Sequence, residues 1–113
     1  MTRHIERQIT ALKERIERVG TLVEEAISKA ITAVINLDQG LAQRVLDADE
    51  QIDRMEVEVE EECLKILALY QPVAADLRFV VSTLKINNDL ERMGDLATNI
   101  AKRVAPLATG AAC

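Results

Sequence analysis

Apolar residues in the first third of the chain recur in alternating steps of four and three. The series is Ile5, Ile9, Leu12, Ile16, Val19, Val23, Ala26, Ala30, Ala33 and Leu37. This period is typical of a helix that packs one face into a bundle, so it predicts a first helix from Thr2 to Leu37. Gly20 lies inside this helix at a cost of about 1 kcal/mol relative to alanine. Close approach of a neighbouring helix or simple tolerance would explain it equally well.

Two later stretches repeat the same period. The second helix carries Leu41, Val45, Ala48, Ile52, Met55, Val59, Ile66 and Tyr70, and the third carries Phe79, Thr83, Ile86, Leu90, Met93, Ala97, Ile100 and Val104. Asp38 has the side chain of an N-cap for helix 2. Pro72 suits the first position of helix 3, and Asp76 in its first turn favours the helix dipole. The pattern stops before Pro106.

These elements predict an all-α fold. Three helices of about 30 residues are each about 45 Å long, and the short connections between them require antiparallel neighbours. The predicted architecture is an elongated up-down-up antiparallel three-helix bundle over residues 1–105. The segment 106–113 lacks a pattern and is predicted to be a loose tail.

The composition of the chain excludes some classes of function. The formal net charge is −5 and aromatic residues make up 2% of the chain, which excludes a basic or base-stacking nucleic-acid surface. Cys63 and Cys113 are too few for a disulfide framework. The charged N-terminal region is no signal peptide, and no apolar run approaches the ~20 residues that span a bilayer. We therefore expect a cytoplasmic protein that does not insert into a membrane.

Polar rows accompany the predicted core on helices 2 and 3. On helix 2 the row is Asp49, Asp53, Glu56 and Glu60, one position past the predicted core residues, and on helix 3 it is Asn88, Glu91, Asp95 and Asn99. Counting from Gln71, Asp53 comes level with Glu91, and Asp49 with Asp95. Counting across Asp38 brings Glu24, Glu25 and Ser28 to a similar height.

These rows place like charges four residues apart, which is unfavourable on a helix. A solvated acidic face is one interpretation, and a metal site, in which a cation removes the repulsion, is the other. We predict a metal site formed by Asp49, Asp53, Glu91 and Asp95, with Glu56, Glu24, Glu25, Asn88 and Asn99 as additional ligands. An all-oxygen set suits Mg²⁺, Mn²⁺, Ca²⁺ or Fe³⁺. The sequence offers no nucleophile–base pair, so no catalytic residues are predicted.

Several motifs resemble the first repeat of the PhoU family of bacterial phosphate-signalling regulators. They are Asp49-x-x-x-Asp53, the segment 69–78 (LYQPVAADLR), Leu84-Lys85 and the segment 89–100 (DLERMGDLATNI). The resemblance covers about residues 3–104. It implies one of the two tandem three-helix bundles of that fold, carrying a multinuclear iron or zinc cluster on Asp49, Asp53, Glu91 and Asp95. Manganese or magnesium are alternatives.

The same resemblance implies a cytoplasmic negative regulator that links the ATPase subunit of the phosphate ABC transporter to a sensor histidine kinase. Because the chain has one repeat where the family has two, we expect a homodimer that imitates the tandem arrangement. Two rival functions remain open. One is a purely structural helical association module, and the other is a metal-assisted phosphate-ester hydrolase.

Overall fold

The computed structural model describes residues 2–110, with side chains from His4 onward. Three long helices, α1 (Thr2–Asn36), α2 (Gln39–Tyr70) and α3 (Ala74–Lys102), are followed by the short α4 (Val104–Ala108). Each long helix packs along both of the others, in a body that measures 60 × 20 × 18 Å. The predicted all-α, elongated three-helix bundle is confirmed.

The first connection is a tight turn of two residues. Leu37 has a φ of 51°, and the amide of Asp38 donates to the carbonyl of Ala33 at 2.8 Å. This left-handed residue ends α1 at Asn36, one residue before the predicted end. Asp38 then caps α2, because its side chain accepts a hydrogen bond from the amide of Leu41 at 3.0 Å. The predicted N-cap is confirmed.

The second connection differs from the prediction. α2 ends at Tyr70, which is half-buried, and Gln71 follows with a φ of 45°. Pro72 is not the first residue of α3. It is buried in the connection, and Val73 is extended, so α3 begins two residues later, at Ala74. Asp76 does lie in the first turn of α3, as predicted.

The core is mainly aliphatic. On α1 the predicted line is largely confirmed, with buried Ile9, Leu12, Val19, Val23, Ala26, Ala30 and Ala33. On α2 and α3 the buried line is displaced by one position at several levels. On α2, Ala42 and Glu56 are buried, where the prediction had their neighbours Leu41 and Met55, which are half-buried. Ala48, also in the predicted line, is exposed, and Cys63, which that line omits, is buried.

The displacement on α3 places small residues on the buried line. Asn87 and Gly94 are buried, whereas the predicted core residues Ile86 and Met93 are 48% and 42% exposed. The inward face of α3 is built mostly from small side chains, namely Thr83, Gly94, Ala97, Thr98 and Ala101. The larger neighbours Ile86 and Met93 are turned outward.

The C-terminal segment also differs from the prediction. Val104 is buried and begins α4, so residues 106–108 of the predicted loose tail are helical. Pro106 is compatible with this helix because it lies in the first turn, where backbone amides need no intrahelical acceptor. Cys113 and the rest of segment 111–113 lie outside the described residues. Within the part of the chain described, no helix is long and apolar enough to cross a membrane.

Candidate metal centre

One hydrogen bond between α2 and α3 fixes the height of the candidate site. The side-chain Nδ2 of Asn87 donates to the backbone carbonyl of Glu56 at 2.8 Å. The two helices run antiparallel, so each step forward on α2 is a step back on α3. Asp53 is therefore level with Leu90 and its neighbour Glu91, and Asp49 with Gly94 and its neighbour Asp95. The heights predicted for these four carboxylates are confirmed.

Glu56 lies at the floor of this group. Its side chain is 2% exposed, and its Oε2 has no hydrogen-bond partner among the described residues. Burial is the largest cause of a raised pKa at Glu56, and the negative charges of Glu91, Asp53, Asp49 and Asp95 add to it in that order, so that together they bring the pKa to about 7. All four predicted ligands are thus close enough to act electrostatically on one buried carboxyl.

Asp49 is the half-buried member of the group. Burial raises its pKa above the ordinary value, the charges of Asp53 and Asp95 add to this effect, and Lys102 opposes it. Asp53, Glu91 and Asp95 are exposed. The result is an acidic cluster at the α2–α3 face, open to solvent on one side, which we call the carboxylate cluster (Asp49, Asp53, Glu56, Glu91 and Asp95).

Two of the additional candidates lie on other faces. The ion pair between Arg15 and Glu58, with 3.8 Å between Nη1 and Oε2, fixes the relative heights of α1 and α2 and places Glu24 level with Asp49. Glu24 nevertheless lines the groove between α1 and α3, and Glu25 lines the groove between α1 and α2. Periodicity gives height along the bundle, but it does not resolve which pair of helices a residue faces.

Asn88 and Asn99 are exposed on α3. Sequence reasoning missed their neighbour Asn87, which is fully buried. Its side-chain Oδ1, like Oε2 of Glu56, has no hydrogen-bond partner within the described part of the chain. The signal was present in the spacing, because Asn87 continues the line of small buried residues from Thr83 to Gly94.

The donors of the carboxylate cluster suit a hard cation. Carboxylate and amide oxygens are the ligands that such ions prefer, and the unpartnered buried oxygens of Glu56 and Asn87 would gain a partner from one. Across residues 4–110, however, no group of three or more His, Cys, Asp and Glu side chains is placed closely enough to hold a metal ion. The residues fit the chemistry of a cation site, and binding would require rotation of the exposed carboxylates.

Cys63 lies on α2, seven residues after Glu56, and is fully buried. Burial raises the pKa of its thiol to about 11, and the nearby charges of Glu62 and Glu60 contribute to this shift. A thiol with a raised pKa carries little thiolate near neutrality and is a poor metal ligand or nucleophile. Cys63 is therefore a small packing residue of the core.

Comparison with known proteins identifies the family. A sequence model described as the PhoU domain matches residues 16–104, which include all five residues of the carboxylate cluster. The chain belongs to the PhoU domain family. The resemblance of its motifs to that family is therefore confirmed.

Relatives extend this result. The chain is 47% identical over 111 residues to a phosphate-specific transport system accessory protein PhoU homolog of Pseudomonas putida, covering 95% of this chain and 43% of that protein. It is 40% identical over 100 residues to PhoU homolog 1 of Thermotoga maritima, with 88% and 43% covered. The crystal structure of PhoU from Pseudomonas aeruginosa superposes with a TM-score of 0.90 at 40% identity, over 93% of this chain and 50% of that one. The chain thus spans under half the length of these curated PhoU relatives.

Proposed function

We propose that this chain is a cytoplasmic, non-enzymatic regulator of phosphate uptake and phosphate-starvation signalling. The observation that carries the proposal is the PhoU domain match across most of all three long helices. Relatives with this domain are named accessory proteins of the phosphate-specific transport system. A domain of this kind offers partners a surface, and the proposed partners are the ATPase subunit of a phosphate ABC transporter and a sensor histidine kinase.

We further propose that the carboxylate cluster holds metal ions. Asp49, Asp53, Glu91 and Asp95 are the proposed ligands, with Glu56 as the fifth because it lies at the floor of the cluster. An all-oxygen set favours iron over zinc, with manganese or magnesium as the next choices. A cation there would offset the mutual repulsion of the carboxylates and hold α2 and α3 together, which would fix the surface that partners contact.

Elemental analysis of the purified chain tests the metal proposal. We expect stoichiometric iron, zinc or manganese in the wild type and its loss in the double variant Glu91→Ala/Asp95→Ala. The control Glu14→Ala/Glu61→Ala removes two exposed acids outside the cluster and should keep the metal. If no variant holds metal and all melt at the same temperature, the cluster is a solvated acidic face and the rival structural module is favoured.

Binding and activity assays test the regulatory proposal. Titration calorimetry with the purified ATPase subunit of a phosphate ABC transporter should show saturable binding to the metal-loaded chain. A phosphatase assay with added Mn²⁺ should show no turnover beyond that of Mn²⁺ alone. Metal-dependent turnover that disappears in Glu91→Ala/Asp95→Ala would favour the hydrolase instead.

A further inference from the structure

Two polar side chains lie between α2 and α3, beneath the exposed acids of the carboxylate cluster. Asn87 is fully buried and Glu56 is 2% exposed. The Oδ1 atom of Asn87 and the Oε2 atom of Glu56 are both shielded from solvent, and neither has a hydrogen-bond partner among the described residues. Buried polar atoms are almost always paired in folded proteins, so two unpaired oxygens on residues in contact need a common explanation.

The orientation of the Asn87 amide is fixed by its contact with α2. Its Nδ2 donates to the backbone carbonyl of Glu56 at 2.8 Å, and the reversed amide would place two acceptor oxygens against each other. Oδ1 is therefore directed away from that carbonyl. An amide oxygen can only accept a hydrogen bond or bind a cation, and the same holds for Oε2 of an ionised Glu56. The partner that both atoms lack is thus a donor or a cation.

These two side chains form the inner end of the carboxylate cluster. Asn87 lies about one helical turn before Glu91 on α3, and Glu56 lies about one turn after Asp53 on α2. The negative charges of four acids act on Glu56, and we call these acids the outer carboxylates (Glu91, Asp53, Asp49 and Asp95). Three of them are exposed and Asp49 is half-buried. A group that bridges the two unpaired oxygens therefore has negative charge around it.

We propose that Asn87 and Glu56 form an inner position that binds one cation ahead of the outer carboxylates. Oδ1 of Asn87 and the carboxylate of Glu56 are its ligands. This inference rests on the proposed metal binding by the cluster, to which it adds Asn87 as a ligand and an order of binding. Amide and carboxylate oxygens suit hard ions such as Mn²⁺ or Mg²⁺, and they disfavour ions that prefer sulfur.

The order of binding follows from how firmly each group is held before the ion arrives. The Asn87 amide is held by its bond to α2, and Glu56 is held by burial, so both lose little conformational freedom when they bind an ion. The exposed outer carboxylates must rotate toward an ion and give up side-chain entropy. Further ions bind more weakly at the outer carboxylates, because the first ion has already offset part of their negative charge.

A buried water molecule or the proton of Glu56 would also pair the two oxygens. Either partner leaves the repulsion among the outer carboxylates as it is, whereas a cation offsets it. The three partners also differ in their response to substitution, since only a cation makes the amide oxygen of Asn87 a metal ligand. Variants of Asn87 therefore separate them.

Titration of the metal-free chain with Mn²⁺ at about pH 8, where carboxylate ligands are deprotonated, tests the inner position. Free Mn²⁺ is quantified by electron paramagnetic resonance. We expect the wild type to bind one ion at least about tenfold more tightly than the others, and Asn87→Leu to weaken that ion at least about tenfold. The weaker sites should be unchanged. Thr83→Val is the matched control, because it removes a buried hydroxyl that bonds only its own helix.

The variant Asn87→Asp distinguishes a ligand from a structural tie between the helices. It keeps an oxygen in place of Oδ1 but loses the Nδ2 donor. A ligand role predicts that Asn87→Asp binds the first Mn²⁺ at least as tightly as the wild type, whereas a structural role predicts that it resembles Asn87→Leu. Asn88→Asp adds the same charge at the exposed neighbouring position and should tighten the first ion less.

The variant Glu56→Gln gives a second test of the same position. It keeps the shape of the side chain but removes its charge, and it should weaken the first Mn²⁺ at least about tenfold. Circular dichroism and thermal denaturation in the presence of a chelator check that each variant is folded.

The outcomes distinguish this inference from the proposal on which it rests. If the wild type binds no Mn²⁺ and contains no iron or zinc, metal binding by the whole cluster is excluded and the inner position with it. If the wild type binds metal that Glu91→Ala/Asp95→Ala loses, but Asn87→Leu binds Mn²⁺ like the wild type, only the inner position is overturned. Asn87 would then pair with a buried water molecule or with the proton of Glu56.

Discussion

Glu56 places a carboxyl group on the buried line of α2, between Ile52 and Val59. The sequence predicted the acidic rows and their heights, but it put Glu56 one position outside the core. Apolar periodicity counts only apolar residues, so a buried polar residue is assigned to the nearest polar row. Asn87 was missed for the same reason. In the structure Glu56 is 2% exposed and Asn87 is fully buried, so both residues lie inside.

The buried carboxyl makes stability depend on pH. The folded pKa of Glu56 is about 7 against an ordinary value of 4.5, so the folded state holds this proton more tightly than the unfolded state. The contribution of the protonated Glu56 to the free energy of unfolding is therefore fully present below about pH 4.5, and it is lost as the pH rises through about 7. With a metal chelator present, the free energy of unfolding of Glu56→Gln should exceed that of the wild type by about 2–3 kcal/mol at pH 8. At pH 4 the two proteins should differ little, because Glu56 is then protonated in both states.

Urea unfolding followed by circular dichroism across this pH range measures the difference. Glu61→Gln, a change at an exposed acid on the same helix, serves as the control and should follow the wild-type curve. Parallel curves for Glu56→Gln and the wild type would show that Glu56 is hydrated in the folded state.

Among the elements, α1 was predicted best and α3 least well. α1 alternates large aliphatic core residues with charged ones, so its period determines its buried face. α3 buries alanine, glycine, threonine and asparagine and leaves isoleucine and methionine exposed. Its hydrophobic pattern therefore points partly toward the groove between α1 and α3, which Leu90 and Met93 line. A pattern read from one chain does not separate a core inside the monomer from one between molecules.

The cap of α2 gives a local test of element stability. Asp38→Ala removes the acceptor for the amide of Leu41 and should lower the free energy of unfolding by about 1 kcal/mol. Asp38→Asn keeps an acceptor oxygen and should cost only a few tenths of a kcal/mol. Equal losses in thermal denaturation of the two variants would show that the charge, rather than the hydrogen bond, stabilises the helix start.

Gly94 gives a test in which a substitution within α3 should stabilise the protein. It is buried, yet a Cβ built there would meet no atom within 4 Å. Gly94→Ala should therefore raise the free energy of unfolding by about 1 kcal/mol, because alanine restricts the unfolded chain and favours the helix. Gly110→Ala should not stabilise, since Gly110 has a φ of 76°. A destabilised Gly94→Ala would indicate that the helices lie closer in solution than in this structure.

At the scale of the whole molecule, the three helices form a rod with a Cα radius of gyration of 17.5 Å. The three long helices and their antiparallel order followed from periodicity and short connections alone, whereas the short α4 was not predicted. The sequence did not determine which side of the rod meets another molecule, because that depends on how the helix edges combine in space.

Small-angle X-ray scattering tests the homodimer expected from the family resemblance. Two rods side by side should have a radius of gyration of about 20 Å and keep the length of one rod, because each centre lies about 10 Å from the twofold axis. An end-to-end dimer would instead reach about 35 Å. A value near the latter would contradict a homodimer that imitates the side-by-side tandem arrangement.

The half-buried position of Tyr70 at the end of α2 also makes the chain its own spectroscopic probe. The protein has one tyrosine and no tryptophan, so its intrinsic fluorescence originates almost entirely at the α2–α3 connection, at one tip of the rod. Far-ultraviolet circular dichroism reports on all the helices together. Coincident denaturation curves from the two signals would show that the rod melts as one cooperative unit, whereas earlier loss of the tyrosine signal would show that melting starts at that tip.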